Sequence, residues 1–173
     1  MKINVVLYQP EIPQNTANIM RTCAGTDVIL HIIKPIGFKL NPKYLKREAV
    51  NYLTNVNYFV YEDYQDFLTK NTGEFFFITR YGKTPPRQFD FKLFNKDIYL
   101  IFGRESTGIP KEILREHLNR CIRLPMNDKI RSLNLANTVA ILIYEVLGQL
   151  NYPNLSKTEP DSLKGEDWLT KDG

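Results

Sequence analysis

The stretch Ile98-Tyr99-Leu100-Ile101-Phe102-Gly103-Arg104-Glu105-Ser106-Thr107-Gly108-Ile109-Pro110 decides how the chain folds. Its first five residues are apolar without alternation, as expected of a strand covered on both faces. Two glycines and an acid then interrupt the run, and Pro110 opens a helix predicted over Lys111–His117. A doubly covered strand that breaks into a glycine loop and re-emerges as a helix is the repeating unit of a parallel α/β sheet.

The same alternation runs outward in both directions. Upstream, Ile3–Tyr8, Val28–Ile33, Val56–Tyr61 and Phe75–Thr79 read as strands. Between them, Asn15 is placed to cap a helix that Gly25 stops, and Asp63 to cap a helix through Leu68. Asn41-Pro42 opens a short basic helix with Lys43, Lys46 and Arg47. Downstream, Cys121–Leu124 is a last short strand. Leu133–Leu150 is the longest helix, with Leu135, Val139, Leu142, Ile143, Val146 and Leu150 at helical spacing, capped by Ser132 or Asn134. The expected architecture is α/β: a mainly parallel sheet with helices on both faces. In such sheets ligands sit at the carboxyl ends of strands. Thr79-Arg80, Gly103–Gly108 and Pro125–Ser132 should therefore meet on one edge. Residues 1–152 read as one domain and 153–173, polar and punctuated by Pro and Gly, as a loosely held tail.

Composition narrows the function classes. With 173 residues, 43% hydrophobic and 24% charged, the chain is long enough for a real core and has no disorder signature. No apolar run approaches the roughly 18 residues of a membrane span, and the chain starts directly as a strand, so a cytoplasmic location is expected. Cys23 and Cys121 lie too far apart for a metal or redox pair and read as buried thiols. Net charge is +4, and residues 1–152 alone hold 20 basic against 14 acidic residues, a net +6. A basic body suits a polyanionic partner.

Several chemistries lose support. Gly82-Lys83-Thr84 resembles the end of a phosphate-binding loop, but the required glycine at position 77 is Phe77. The 103–108 loop lacks GxGxxG spacing, His31 and His117 have no companion metal ligands, and no GxSxG or Cys/His pattern offers covalent catalysis.

Three polar clusters remain, each at a strand end or helix start. Asn15, Asn18 and Arg21 recur at three-residue spacing, so one helix face is expected to carry two amides and a guanidinium, with a capped helix and a solvated polar face as the simpler reading. Gly103–Pro110 lets backbone approach a ligand closely, or is an ordinary strand-to-helix turn. Ile122-Arg123-Leu124-Pro125-Met126 followed by Arg131-Ser132-Leu133-Asn134-Leu135-Ala136-Asn137 is the third, with a plain helix cap as its simplest reading.

In this order and on this frame, the clusters resemble the three signature motifs of the SPOUT superfamily, specifically its SpoU branch of RNA ribose methyltransferases. Leu7-Tyr8-Gln9-Pro10-Glu11-Ile12-Pro13-Gln14-Asn15 and Ser132–Asn137 look like the small tRNA (cytidine/uridine-2′-O-)-methyltransferases that modify the wobble nucleotide. The resemblance implies a C-terminal deep trefoil knot and S-adenosylmethionine as cofactor, bound at Ile78, Gly103, Leu124 and Ser132 with Ile122 and Leu133 close by. It implies catalytic roles for Arg21, Asn15, Glu105 and Asn134. Candidate contacts to a tRNA anticodon stem-loop are Asn18, Tyr144, Lys43 and Arg47. It also implies a homodimer paired through the Asn15–Arg21 helix and the long C-terminal helix, with Arg21 beside the twofold axis. A branched side chain at Gly103 is then expected to block the cofactor while the fold survives. Two departures stand out: Ala17, where many relatives have glycine, and a longer Arg80-Tyr81-Gly82-Lys83 stretch. The rival readings are methylation of rRNA or of another tRNA position, and a catalytically silent RNA-binding module.

Overall fold

The computed structural model describes residues 1–41 and 55–171, so the basic segment with Lys43, Lys46 and Arg47 lies outside the described residues. The strands are β1 Ile3–Tyr8, β2 Ile29–Ile33, β3 Tyr58–Tyr61, β4 Glu74–Ile78, β5 Ile98–Phe102 and β6 Cys121–Ile122. Among the described residues they form one six-stranded sheet in the order β3-β2-β1-β5-β4-β6, and every pairing is parallel. The helices are α1 Pro13–Thr26, α2 Tyr64–Lys70, α3 Lys111–Arg115 and α4 Leu135–Gln149.

Alternate residues of each central strand enter different cores. Val5, Leu7, Leu30, Ile32, Leu100 and Phe102 pack with Ile19, Met20 and Cys23 of α1 and with Val139, Leu142, Ile143 and Val146 of α4. Val6, Tyr8, Ile33, Phe77 and Ile101 pack with Phe67 of α2 and Leu114 of α3. Both sheet faces are thus covered, which is why these strands read as unbroken apolar runs. Each such aliphatic side chain contributes about 1.5–3 kcal/mol relative to exposure. Burial also pushes the Cys23 thiol up to about 12, the behaviour of an inert core residue.

Element ends depart from the sequence expectation in instructive ways. Asn15 does not cap α1: the helix starts at Pro13, whose fixed φ suits a first helical position, and its cap Ile12 offers no side-chain bond. Gly25 does not stop it either. The helix continues to Thr26 and ends at Asp27, whose φ of 55° lets its N–H turn back to the Cys23 carbonyl. At α4, Asn134 rather than Ser132 is the cap, accepting from the Asn137 N–H at 3.2 Å, so the helix begins at Leu135. Asp63 caps α2 as expected, accepting from the Asp66 N–H at 2.7 Å, and the helix extends to Lys70. The predicted strand at 121–124 keeps only Cys121 and Ile122, because Arg123 leaves the sheet to bond the Thr84 carbonyl. The helix expected through His117 ends at Arg115.

A polar group inside the second core is fully satisfied. His31 is 3% exposed, with Nδ1 2.8 Å from the Tyr61 hydroxyl and Nε2 3.0 Å from Asn4 Oδ1. Burial lowers its pKa to about 4. Beyond α4, residues 150–171 run as successive turns without helix or strand; Leu155 packs back on the core, while Trp168 and Leu169 stand exposed. Among the described residues no helix is long and apolar enough to cross a membrane, and no group of His, Cys, Asp and Glu could hold a metal ion.

Candidate active site

The carboxyl ends of β4 and β5, the exit of β6 and the start of α4 converge on a cavity of about 810 Å³. That is the edge where an open parallel sheet accepts ligands, and the volume lies in the range of small-molecule sites. The three segments expected to meet there do so: Thr79-Arg80, Gly103–Gly108, and Met126 with Arg131-Ser132 all line it.

Gly103 has a reason internal to the chain. A Cβ at this position would lie 2.3 Å from the Gly108 carbonyl carbon and 2.4 Å from the Ile109 nitrogen. The strand end and the loop that folds back over it touch through this missing side chain, and Gly108 N–H bonds the Arg104 carbonyl at 2.9 Å. Gly108 itself sits at φ 73°, where glycine carries no steric penalty. The expectation that a valine here spares the fold is therefore corrected: the branched side chain collides first with its own backbone.

Glu105 is the organiser of the site. Its carboxylate accepts from the Glu11 N–H at 2.8 Å, the Ile12 N–H at 3.1 Å and Asn15 Nδ2 at 3.2 Å. Helix α1 has no acidic residue in its first turn and no side-chain cap of its own. Glu105 supplies both functions from across the sheet, placing negative charge at the positive end of the helix. Asn15 then passes the arrangement on: its Oδ1 accepts from Asn134 Nδ2 at 3.0 Å, and Asn134 caps α4. In return Glu11 accepts from the Ser106 N–H at 2.9 Å and hydroxyl at 2.8 Å, and the hydroxyl above all holds its carboxyl below the usual range. The sequence reading missed Glu11; an acid just before a proline-initiated helix was the signal available.

Arg104 adds an unusual donor. Its Nε is buried and has no hydrogen-bond partner among the described residues, and its guanidinium carbon lies 5.5 Å from the Tyr8 ring centroid. The cavity thus combines apolar walls from Ile78, Leu124 and Leu133, loop backbone groups, and a cation able to meet an anionic end.

The predicted residues divide accordingly. Asn15, Ile78, Gly103, Glu105, Leu124, Ser132, Leu133 and Asn134 all line the cavity. Ile122 does not; its side chain is fully buried in the first core, and its carbonyl accepts from Thr79 N–H at 2.9 Å. Asn15, Asn18 and Arg21 do not share one face. Three-residue steps turn back about 60° each, so Arg21 lies roughly 120° around α1 from Asn15. Asn15 is buried at the cavity, whereas Asn18 and Arg21 are exposed and away from it. Tyr144 is 51% exposed on the outer face of α4, beside a second groove bordered by Arg87, Phe89 and Tyr152. Lys43 and Arg47 fall outside the described residues.

Comparison with known proteins meets this geometry. The SpoU rRNA Methylase family matches residues 2–144, a span holding all three clusters. The chain belongs to this family. It is 47% identical over 154 residues to a Bacillus subtilis (strain 168) protein described as a candidate tRNA (cytidine(34)-2′-O)-methyltransferase, covering 88% of this chain and 96% of the relative. Among solved structures, a candidate RNA methyltransferase from Bacillus anthracis superposes with a TM-score of 0.85 at 50% identity, covering 89% of this chain and 98% of that one. A structure concerned with 2-OH methylation of C/U34 on tRNA superposes at 0.80 with 36% identity, covering 87% and 97%. As a SpoU methylase the chain is an enzyme, and residues of all three clusters line one cavity.

Proposed function

We propose that this SpoU methylase transfers a methyl group from S-adenosylmethionine to the ribose 2′-hydroxyl of the wobble nucleotide, cytidine or uridine 34, of tRNA. The observation that carries the reading is the Glu105–Asn15–Asn134 chain of hydrogen bonds, which joins the three motif segments at one cavity. Relatives sharing nearly the whole length act, by description, at position 34.

The residues present fit the cofactor. Leu124 and Leu133 offer apolar faces for an adenine ring, the Gly103–Gly108 and Ser132–Asn134 backbones offer donors and acceptors for its edges, and the orphaned Arg104 Nε suits a carboxylate. When bound, S-adenosylmethionine supplies an electrophilic methyl group on a sulfonium. The protein then has to align the 2′-oxygen in line with that methyl, and orientation alone can account for much of the acceleration. Arg21 is not suited to be a base, since a guanidinium offers five N–H donors and no acceptor. Its role is to hold the 2′-oxygen and the adjacent phosphate, and to stabilise alkoxide charge as the hydroxyl proton passes to water while the O–CH3 bond forms and the S–CH3 bond breaks.

Arg21 is exposed and does not line its own chain's cavity, which supports a homodimer in which the partner completes the site. Helix α4 packs against α1 and exposes Ile141 and Tyr144, while α1 exposes Asn18 and Arg21. We take this surface as the twofold contact. The trefoil knot belongs to the same proposal. The Ile122–Arg123 peptide is gripped at both ends, its carbonyl accepting from Thr79 N–H and its N–H donating to the Thr84 carbonyl, as a strand passing through the 79–97 loop would be. A cytoplasmic enzyme with the tail after residue 152 outside the catalytic domain completes the reading.

The test is labelled-methyl transfer to transcribed tRNA, with the product mapped by nuclease digestion. Label at the 2′-oxygen of nucleotide 34 is the expected result. Label confined to rRNA, elsewhere in tRNA, or absent with cofactor bound would sink the proposal.

A further inference from the structure

The Arg80-Tyr81-Gly82-Lys83 stretch is tied down by hydrogen bonds at both ends and within. Thr79 N–H bonds the Ile122 carbonyl at 2.9 Å, and Arg123 N–H bonds the Thr84 carbonyl at 3.0 Å, so both ends are anchored to the exit of β6. Inside the loop, Gly82 N–H reaches the Thr79 carbonyl and Tyr81 N–H the Thr79 hydroxyl. Gly82 is pressed so closely on the β6 backbone that a Cβ would lie 2.9 Å from the Cys121 oxygen. The Arg123 guanidinium also donates to the Arg80 carbonyl.

This fixed loop holds out a tyrosine. Tyr81 is 71% exposed at the rim of the cavity, and the Arg80 guanidinium carbon sits 5.2 Å from its ring centroid. An aromatic ring with a cation at its face, preorganised and displayed to solvent, suits a flat, electron-rich, anionic partner. Arg104 and Arg131 line the same cavity, so the rim carries positive charge on several sides. Proteins that bind single-stranded RNA stack splayed bases on such rings while cations take the phosphates.

We propose that Arg80 and Tyr81 form a stacking platform for the base of the nucleotide adjacent to the one methylated. The proposal rests on the reading that an RNA ribose is the methyl acceptor in this cavity. Tyr81 binds substrate and takes no part in the chemical step. Arg80 keeps the ring in place and neutralises the phosphate that follows the base.

The experiment uses anticodon stem-loop RNAs with 2-aminopurine placed on one side or the other of the acceptor nucleotide. Wild-type protein should quench one of the two probes. Tyr81→Ala should abolish that quench and raise the KM for RNA roughly tenfold or more, the loss expected for one stacked base. Its kcat should hold within about twofold, as should S-adenosylmethionine affinity by calorimetry, while Tyr81→Phe restores quench and KM because the ring face suffices. An intact quench in Tyr81→Ala overturns the platform, as does a parallel fall in cofactor affinity, which would assign the ring to the cofactor instead. Tyr81-dependent quenching without methyl transfer by wild-type protein would support the platform and overturn the methylation reading. Methyl transfer with quenching indifferent to Tyr81 would do the reverse.

Discussion

Asn134 donates its amide to Asn15 Oδ1 across 3.0 Å, and the two residues are 119 positions apart. The bond has a direction. Asn15 must keep its own Nδ2 for Glu105, so its oxygen faces Asn134, and Asn134 must keep its oxygen for the Asn137 N–H. Each amide is thereby held in one of its two orientations, and the start of α4 is fixed relative to the start of α1.

Substitution at Asn134 should separate stability from alignment. Asn134→Ala removes a helix cap worth about 1 kcal/mol and is expected to lower Tm by roughly 2–4 °C. Asn134→Asp keeps the cap but presents an oxygen to the Asn15 oxygen, so it should melt closer to wild type. Methyl transfer should fall about a hundredfold in both, the scale of a misplaced site. Thermal melts and single-turnover rates decide; full activity in Asn134→Asp would show that the direction of the relay does not matter.

Gly103→Ala should lose stability and cofactor affinity together, because its Cβ meets Gly108 and Ile109 backbone before any ligand. Differential scanning calorimetry with a cofactor titration reads both. An unchanged Tm with lost affinity would restore the view that the glycine serves the ligand alone.

Stability should fall with acidification below pH 6.5. Burial depresses the folded-state pKa of His31 to about 4 against an ordinary 6.5, so the unfolded chain binds the extra proton first. The stability is fully present above pH 6.5 and is lost as pH falls toward 4, on the order of 3 kcal/mol in all. Urea unfolding of wild type and His31→Gln at pH 7.5, 6, 5 and 4 tests this. A parallel pH slope in the two proteins would exonerate the histidine.

Mixed dimers should recover activity. If Arg21 serves the partner's cavity, then Arg21→Ala and Asn134→Asp, each impaired alone, should together give roughly the activity of one intact site in each heterodimer. Verified heterodimers without recovery would place the whole catalytic set in one chain, and a monomeric mass by light scattering would remove the shared site.

Much of this was legible in the residues because burial on both faces leaves a period-free apolar signature, as in Ile98–Phe102. The rule that ligands sit at strand ends put Thr79-Arg80, Gly103–Gly108 and Pro125–Ser132 at one edge, and Thr79, Arg80, Gly103, Glu105 and Ser132 do line one cavity. Illegible features depended on contacts between distant residues. Asn15 looked like a cap because its type favours caps, yet Pro13 and Glu105 had taken that task and freed its amide for Asn134. Three-residue spacing looked like one face, but the helical turn carries Arg21 away from Asn15. The packing of Phe76 against Phe89, Phe91 and Phe94, with ring centroids 5.1–5.4 Å apart, has no local periodicity to announce it.

The capping of α1 by Glu105 and of α4 by the residue that clasps Asn15 also sets when activity can begin. During synthesis the first strand and helix leave the ribosome long before Asn134 is joined to the chain. Until then the cavity lacks the wall from Ser132 to Thr138 and the amide that orients Asn15. A nascent fragment, tethered beside a great excess of ribosomal RNA, therefore has no means of modifying it.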